Sequence, residues 1–417
     1  MTNVFVIGIG MTELGKTVQR SVKDMTEVAV SLALRDASLE RRAVQAAWFS
    51  NSRQGLLEGQ NGIRGQCALR PLGFQGIAIA NVENACASGA TAVLQAVAHI
   101  EAGFCDVALV VGAEKMFFPQ RREAMFKAFN GGTDIYRLEE FQQQCRRQCR
   151  ELIPPQQQHE TETTDHSFFM ESYAAQARLH MQRFGTTQRQ LAMAAAKNHR
   201  HSRFNPLAQY RHSLSVEQVL QQRSIVWPFT LPMCAPISDG AAAAVLCSAS
   251  VLKRLGGRKR AVRIRAIHLA SGSDRPARDF EHHIGRLAAL QAYAQAQIEP
   301  RDIDVAEVHD ATAYAEIQQL ENLGLCPLGE GGPFTESGDT ALGGSMPVNP
   351  SGGLVSKGHP VGATGIIQLY ELVHQLRGEA GPRQVVKPRI AVAENGGGFY
   401  ETEEAATVVT VLERATA

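Results

Sequence analysis

Cys86 is the residue whose surroundings best suit it to covalent chemistry. It stands in Asn84-Ala-Cys86-Ala-Ser-Gly-Ala-Thr91, at the tip of a turn between an apolar strand, Ile77 to Val82, and a helix of small and apolar residues that runs to Gly103. At a helix start, unpaired backbone N–H groups and the positive end of the dipole favour a thiolate. The same N–H groups can hold an oxyanion on an acylated sulfur. A buried, inert structural cysteine is the competing reading. Late in the chain His359-Pro-Val-Gly362-Ala-Thr364 repeats the frame: a reactive residue, two positions, then Gly-Ala-Thr. Each copy opens a helix closed by a glycine, Gly103 or Gly378, and each helix leads to an apolar strand, Val107 to Val111 or Ile390 to Ala393. Two copies of one strand–helix–strand unit, related by a pseudo-twofold, would bring Cys86 near His359. A second histidine, His309, follows the strand Ile303 to Val308, at the carboxyl end where open α/β sheets bind ligands.

The elements that must position these groups read as an α/β chain. At 417 residues it has room for two or three domains and a large core. Strands alternating with helices imply a mostly parallel sheet covered on both faces. The first strand, Asn3 to Ile9, leads into Gly8, Gly10 and Gly15, which do not form a dinucleotide-binding fingerprint. The first half takes in 1–116 and 233–255, and the second takes in 256–417. Between them, 117–232 reads as an inserted loop or lid domain with helices from Phe168 to Phe184 and from Gln188 onward. Thr187 and Gln190 form a capping box for the latter. The insertion carries Lys197, His199, Arg200, His201, Arg203 and Arg211, either a solvated face or a dock for a phosphorylated cofactor.

Composition excludes several classes. A formal net charge of +1 argues against a nucleic-acid partner. The eight cysteines lack paired spacing; Cys145 and Cys149 lie one turn apart without a second pair, so no metal site is expected. Reduced thiols, no long apolar run and no signal-peptide pattern lead to the expectation of a cytoplasmic protein away from membranes.

Five motifs in register, Asn84-Ala-Cys86-Ala-Ser-Gly89, Asp239-Gly-Ala-Ala-Ala, His309-Asp310, Asn349-Pro-Ser-Gly-Gly353 and Gly358-His359-Pro360, resemble the thiolase family, most closely its sterol-carrier-protein-type branch. The resemblance implies a five-layered α-β-α-β-α fold of two pseudo-twofold-related halves, with a dimer or dimer of dimers as the working unit. It implies a coenzyme A thioester as substrate, with no tightly bound cofactor. Cys86 would be acylated, His359 would activate it, and His309 would help hold the enolate oxygen. The Cys86 N–H with a glycine N–H from Gly396 or Gly397, beside Asn395, would form the oxyanion hole. Lys197, Arg200, Arg203 and Ser356 are candidates for binding coenzyme A.

The chain departs from the family where a second cysteine acts as acid/base. Those positions hold Glu394 or Asn395, and Ala311. Glu394 is therefore a candidate general base, with the capping of a glycine-rich loop as its structural alternative. The expected activity is that of an acyl-CoA C-acyltransferase, cleaving a 3-oxoacyl-CoA with coenzyme A or running the reverse Claisen condensation. Its acyl group would be branched, aromatic or steroid-derived. The alternatives are a retro-aldol lyase on a CoA-ester side chain, against which the intact Cys86 argues, and a non-catalytic scaffold subunit. By analogy with relatives, a small zinc-ribbon and OB-fold protein is a candidate partner.

Overall fold

The computed structural model describes residues 3–157, 166–256, 260–401 and 403–415. Among these, strands β1 (Val4–Met11), β2 (Ala46–Ser50), β3 (Ala78–Val82), β4 (Val107–Glu114), β5 (Gly240–Ser248), β6 (Val262–Ser271), β7 (Val305–Glu307), β8 (Ile390–Gly397) and β9 (Ala406–Arg414) pair side by side. Their order is β3-β2-β4-β5-β1-β6-β9-β8-β7. From the central β1–β6 junction outward, the two wings match. One runs β1, β5, β4, β2, β3. The other runs β6, β9, β8, β7 and then Val348, which pairs in parallel with Ala306 where a fifth strand would lie. The duplicated unit read from the Gly-Ala-Thr echo is thus visible in strand order and direction.

The expectation of a mostly parallel sheet is corrected. Only β2–β3, β2–β4 and β7–β8 are parallel, and the other pairs are antiparallel. β9 returns from β8 through a short connection, and β5 returns through the long excursion, so neither is fed by a right-handed crossover helix.

The helices that form the layers and frame the site are α1 (Val22–Ala37), α2 (Ser88–Glu101), α3 (Phe168–Phe184), α4 (Gln188–Ser202), α5 (Ile284–Ala296), α6 (Ala313–Asn322) and α7 (Thr364–Arg377). Strand alternation distributes the core. In β4, Val107, Leu109 and Val111 pack with α1 residues Val30 and Leu34, whereas Ala108 and Val110 pack with Val93 and Val97 of α2. That second cluster takes in Ile366 and Val373 of α7 together with Ile264 of β6 and Val408 of β9. Ala288 and Ala292 of α5 cover the outer face of the second wing, against Val392 and Val411. The result is five layers, with α2 and α7 as the shared middle one. These two helices cross closely at glycines: a Cβ on Gly365 would lie 2.4 Å from the Ala90 nitrogen, and one on Gly89 would lie 3.1 Å from the Gly365 nitrogen.

Local signals explain where helices begin. Thr187 and Gln190 form the expected capping box on α4, and Ser21 with Asp24 forms another on α1. α5 starts at Ile284, where the His283 side chain caps it by accepting the Gly285 N–H. The excursion between β4 and β5 shares a core with the second half: Phe168, Tyr173 and Leu191 pack with Tyr314, Ile317 and Phe399.

Candidate active site

Three loops deliver the reactive groups. The first leaves β3 and forms a single 3-10 turn, Ala85–Ala87, before α2 begins at Ser88. Ala85 takes φ +48°, a left-handed conformation that is costly for a residue with a Cβ. It is held there by Glu83, which accepts the Ala85 N–H at 2.7 Å, and by Ser88, which donates to the Ala85 carbonyl at 2.6 Å. The second loop enters His359 through Gly358 at φ +118°. The His359 N–H donates to Ser238 Oγ at 2.9 Å. The third ends β7 in His309, whose N–H donates to Glu394 Oε2 at 2.9 Å.

Cys86 Sγ and one ring nitrogen from each of His309 and His359 lie within 4.8 Å of one another. The two rings meet edge to face, 5.1 Å apart at 79°. Their hydrogen bonds assign different tautomers. Thr364 Oγ1 donates to the Pro360 carbonyl, so at 2.8 Å it accepts from His359 Nδ1. The Nε2 of His359 is then an unprotonated base. Asn395 Nδ2 donates to His309 Nδ1 across 3.2 Å, so the proton of that ring sits on Nε2, where it can be donated to a substrate oxygen.

Burial controls the charges. It pushes the Cys86 thiol up to about 11, against the smaller opposing effects of Arg53 and of a hydrogen bond from the Gly398 backbone. The thiolate expected from a helix start is therefore not the resting state: the intervening 3-10 turn holds Cys86 back from α2, and desolvation of the anion wins. Burial also brings His309 down to about 4, and it holds His359 well below the ordinary histidine value, with the His309 ring adding to the effect. Both rings are neutral at pH 7, the state in which one accepts a proton and the other donates a hydrogen bond.

These groups open on a cavity of ≈ 500 Å³. Its wall is largely apolar and aromatic, including Met116, Phe126, Phe129, Phe169, Met170 and Tyr173. Lys16, His212 and Arg223 also line it and are exposed.

Several expected roles are corrected. Glu394 does not line the cavity; alternation in β8 turns it away, Oε2 is held by the His309 N–H, and burial beside Glu404 raises it well above the ordinary carboxyl range. Gly396 shares that face, since a Cβ there would lie 2.9 Å from Glu404 Cγ. Gly397 and Gly398 do line the cavity, and it is Gly398 whose N–H reaches the sulfur. Asn395 is bonded to the His309 ring and does not itself line the cavity. Lys197 is buried, paired with Glu316 at 2.7 Å and donating to the Val348 carbonyl at 2.9 Å, so it cannot meet a phosphate. Ser356 is buried against Ser202 at 2.6 Å and His199 at 3.0 Å. Arg200 and Arg203 are exposed but lie outside the cavity wall. Sequence reasoning passed over Gly398 and Cys234. Their signals were a third consecutive glycine and a thiol five residues before Asp239.

Comparison with known proteins places the whole chain. Residues 4–216 match the thiolase N-terminal domain, and residues 272–414 match the thiolase C-terminal domain-like family. Sterol carrier protein 2 of Oryctolagus cuniculus is 34% identical over 415 residues, spanning 95% of this chain and 70% of the relative. An acetyl-CoA acetyltransferase of Methanothermobacter thermautotrophicus is 36% identical over 403 residues, spanning 95% and 97%. The benzoylsuccinyl-CoA thiolase subunit BbsB of Thauera aromatica is 32% identical over 400 residues, spanning 95% and 94%. Among solved structures, an Ltp2-ChsH2(DUF35) aldolase superposes with a TM-score of 0.75 at 22% identity, covering 98% of this chain and 97% of that one. An acetyl-CoA acetyltransferase from Syntrophomonas wolfei gives 0.68 at 16%, with complete coverage of both. From its first strand to its last, this chain belongs to the thiolase family.

Proposed function

We propose that this protein is an acyl-CoA C-acyltransferase that passes a bulky, aromatic-type acyl group through Cys86. The observation that carries the reading is the meeting of one thiol, one imidazole base and one imidazole donor within 4.8 Å. His359 Nε2 takes the thiol proton, and the sulfur attacks the 3-oxo carbonyl. The Gly398 N–H, adjacent to the sulfur, holds the resulting oxyanion. The Nε2–H of His309 holds the oxygen of the thioester enolate that departs. An intact nucleophile and base favour acyl transfer over aldol cleavage, which needs no covalent thioester.

The aromatic wall fits a ring-bearing acyl chain better than an acetyl group alone. Exposed Lys16, His212 and Arg223 would meet the phosphates of coenzyme A in place of Lys197. β3 is an edge strand with Ala78, Ala80 and Asn81 exposed, suited to pairing with its copy in a homodimer. A ChsH2-type partner is named for one structural neighbour, and a partner subunit of that kind is a further candidate here. No helix among the described residues is long and apolar enough to cross a membrane; eight free cysteines suit a reducing cytoplasm.

The test is acylation of the native protein by benzoyl-CoA, followed by intact mass and by release of free coenzyme A. A thioester on Cys86, absent in Cys86→Ser, is the expected result. A chain that never acquires the acyl mass from benzoyl-CoA, acetyl-CoA or succinyl-CoA would sink the proposal.

A further inference from the structure

On the reading that acyl groups pass through Cys86, one role is unfilled. Some group must exchange a proton with the carbon beside the thioester carbonyl, and neither Ala311 nor the inward-turned Glu394 can do so. We propose that Cys234 is the catalytic acid/base for that carbon.

The placement comes from the strap that leads into β5. Cys234 forms an isolated antiparallel bridge with Thr312, and the Ala235 N–H donates to the Ala311 carbonyl at 3.0 Å. Ile237 then bridges in parallel to His359. The strap is stitched to both histidine loops, and Cys234 and Ala311 reach the same cavity wall side by side. Among the described residues, Cys86 and Cys234 are the two cysteines that line the cavity.

The neighbouring proton carriers have other tasks. His359 serves the Cys86 thiol, and Asn395 fixes His309 as a donor to oxygen. Tyr173 turns its hydroxyl to Glu404, 3.5 Å away. Cys234 is half-buried, its sulfur 3.7 Å from the Thr230 carbonyl. Burial pushes it up to about 12, with Arg223 opposing, so it holds its proton at pH 7 as a donor to a carbanion must.

The step balances. The Cys86 thiolate adds to the 3-oxo carbonyl, the C2–C3 bond breaks, and its electron pair stays on C2 as the thioester enolate. The S–H bond of Cys234 breaks as C2 gains the proton. Incoming coenzyme A gives its thiol proton to the Cys234 thiolate and takes the acyl group from Cys86. The Cys86 sulfur regains its proton from His359. Condensation runs the same steps backward.

The experiment follows C2 deuterium uptake by acetyl-CoA and succinyl-CoA in D2O, alongside acylation of Cys86 by benzoyl-CoA. Cys234→Ser and Cys234→Ala should lose uptake by about 100-fold or more while acylation, whose coenzyme A leaving group can depart as a thiolate without an acid, falls by less than about tenfold. Cys234→Ala/Ala311→Cys, with the thiol moved to the neighbouring position, should recover uptake. Uptake by both single variants within about threefold of wild type overturns the inference. So does a wild-type protein that acylates Cys86 but labels neither probe. If the single variants also lose acylation, the double variant decides: recovery supports the role and continued silence refutes it. Failure of wild-type acylation would instead strike at the acyltransferase reading, so the two failures are distinguishable.

Discussion

Replacing His359 with asparagine tests the division of labour at the site most directly. The Cys86 thiol stands at about 11, so without a base only about one chain in 10⁴ carries a thiolate at pH 7. If His359 Nε2 removes that proton in the wild type, acyl transfer to Cys86 should fall by about 10⁴ in the variant, or roughly 5.4 kcal/mol of barrier. The pH profile separates this from general damage. His359 is held neutral by burial, so the wild-type rate should be flat from about pH 6 to 9. The variant depends on free hydroxide-driven ionisation and should gain about tenfold per pH unit until the thiol itself titrates. Single-turnover acylation by benzoyl-CoA, quenched and read by intact mass, supplies both numbers. A variant whose residual rate ignores pH, or a wild type that climbs tenfold per unit, would refute the assignment of His359 as the base.

Other consequences can be checked together. Glu394→Gln should change cleavage and condensation rates by no more than about threefold, because the buried carboxyl is held protonated and the amide oxygen can still accept the His309 N–H. Asn395→Ala should lower kcat by about 10- to 1,000-fold at unchanged melting temperature, since His309 loses the partner that fixes its tautomer. Asp239 accepts the N–H groups of Thr17, Met116 and Phe117 and pairs with buried Lys115 at 3.6 Å. Asp239→Ala should therefore cost about 3–5 kcal/mol in urea unfolding, marking that motif as structural. Burial holds His199 at about 4, His201 at about 3 and His309 at about 4, against 6.5 in the unfolded chain. Below pH 6.5 the unfolded chain binds more protons, so stability rises with pH in that window and drops as acid is added. Each ring contributes about 1.4 kcal/mol per pH unit down to its folded value. A melting temperature that stays level between pH 6 and 4.5 would contradict this.

The two helix starts were legible because they depend on local spacing: a reactive residue followed three positions later by Gly-Ala-Thr recurs where the structure places matching wings of one sheet. Capping at Thr187 was legible for the same reason. What depends on register was not. Glu394 and Asn395 are neighbours in sequence, yet a strand sends them to opposite faces, and nothing local says which face meets the nucleophile. The basic run misled for a related reason. On α4 a spacing of four puts Lys197 and His201 on one buried face, while Arg200, and Arg203 just past the helix end, point to solvent. Reading that run by helical period rather than by charge would have separated them. The antiparallel returns of β5 and β9 were not legible because strand direction depends on how each connection re-enters, not on the strand residues.

The pairing of α2 from one half with α7 from the other bears on how the chain is made. Cys86 emerges from synthesis long before His359, and the imidazole proposed to activate it arrives only when the last helix docks across the glycine crossing. Until then the sulfur is an ordinary solvated thiol, more readily ionised than in the buried site but with no imidazole beside it. The meeting of thiol and imidazole is thus a property of the finished molecule, absent from every precursor in which the last helix has not docked.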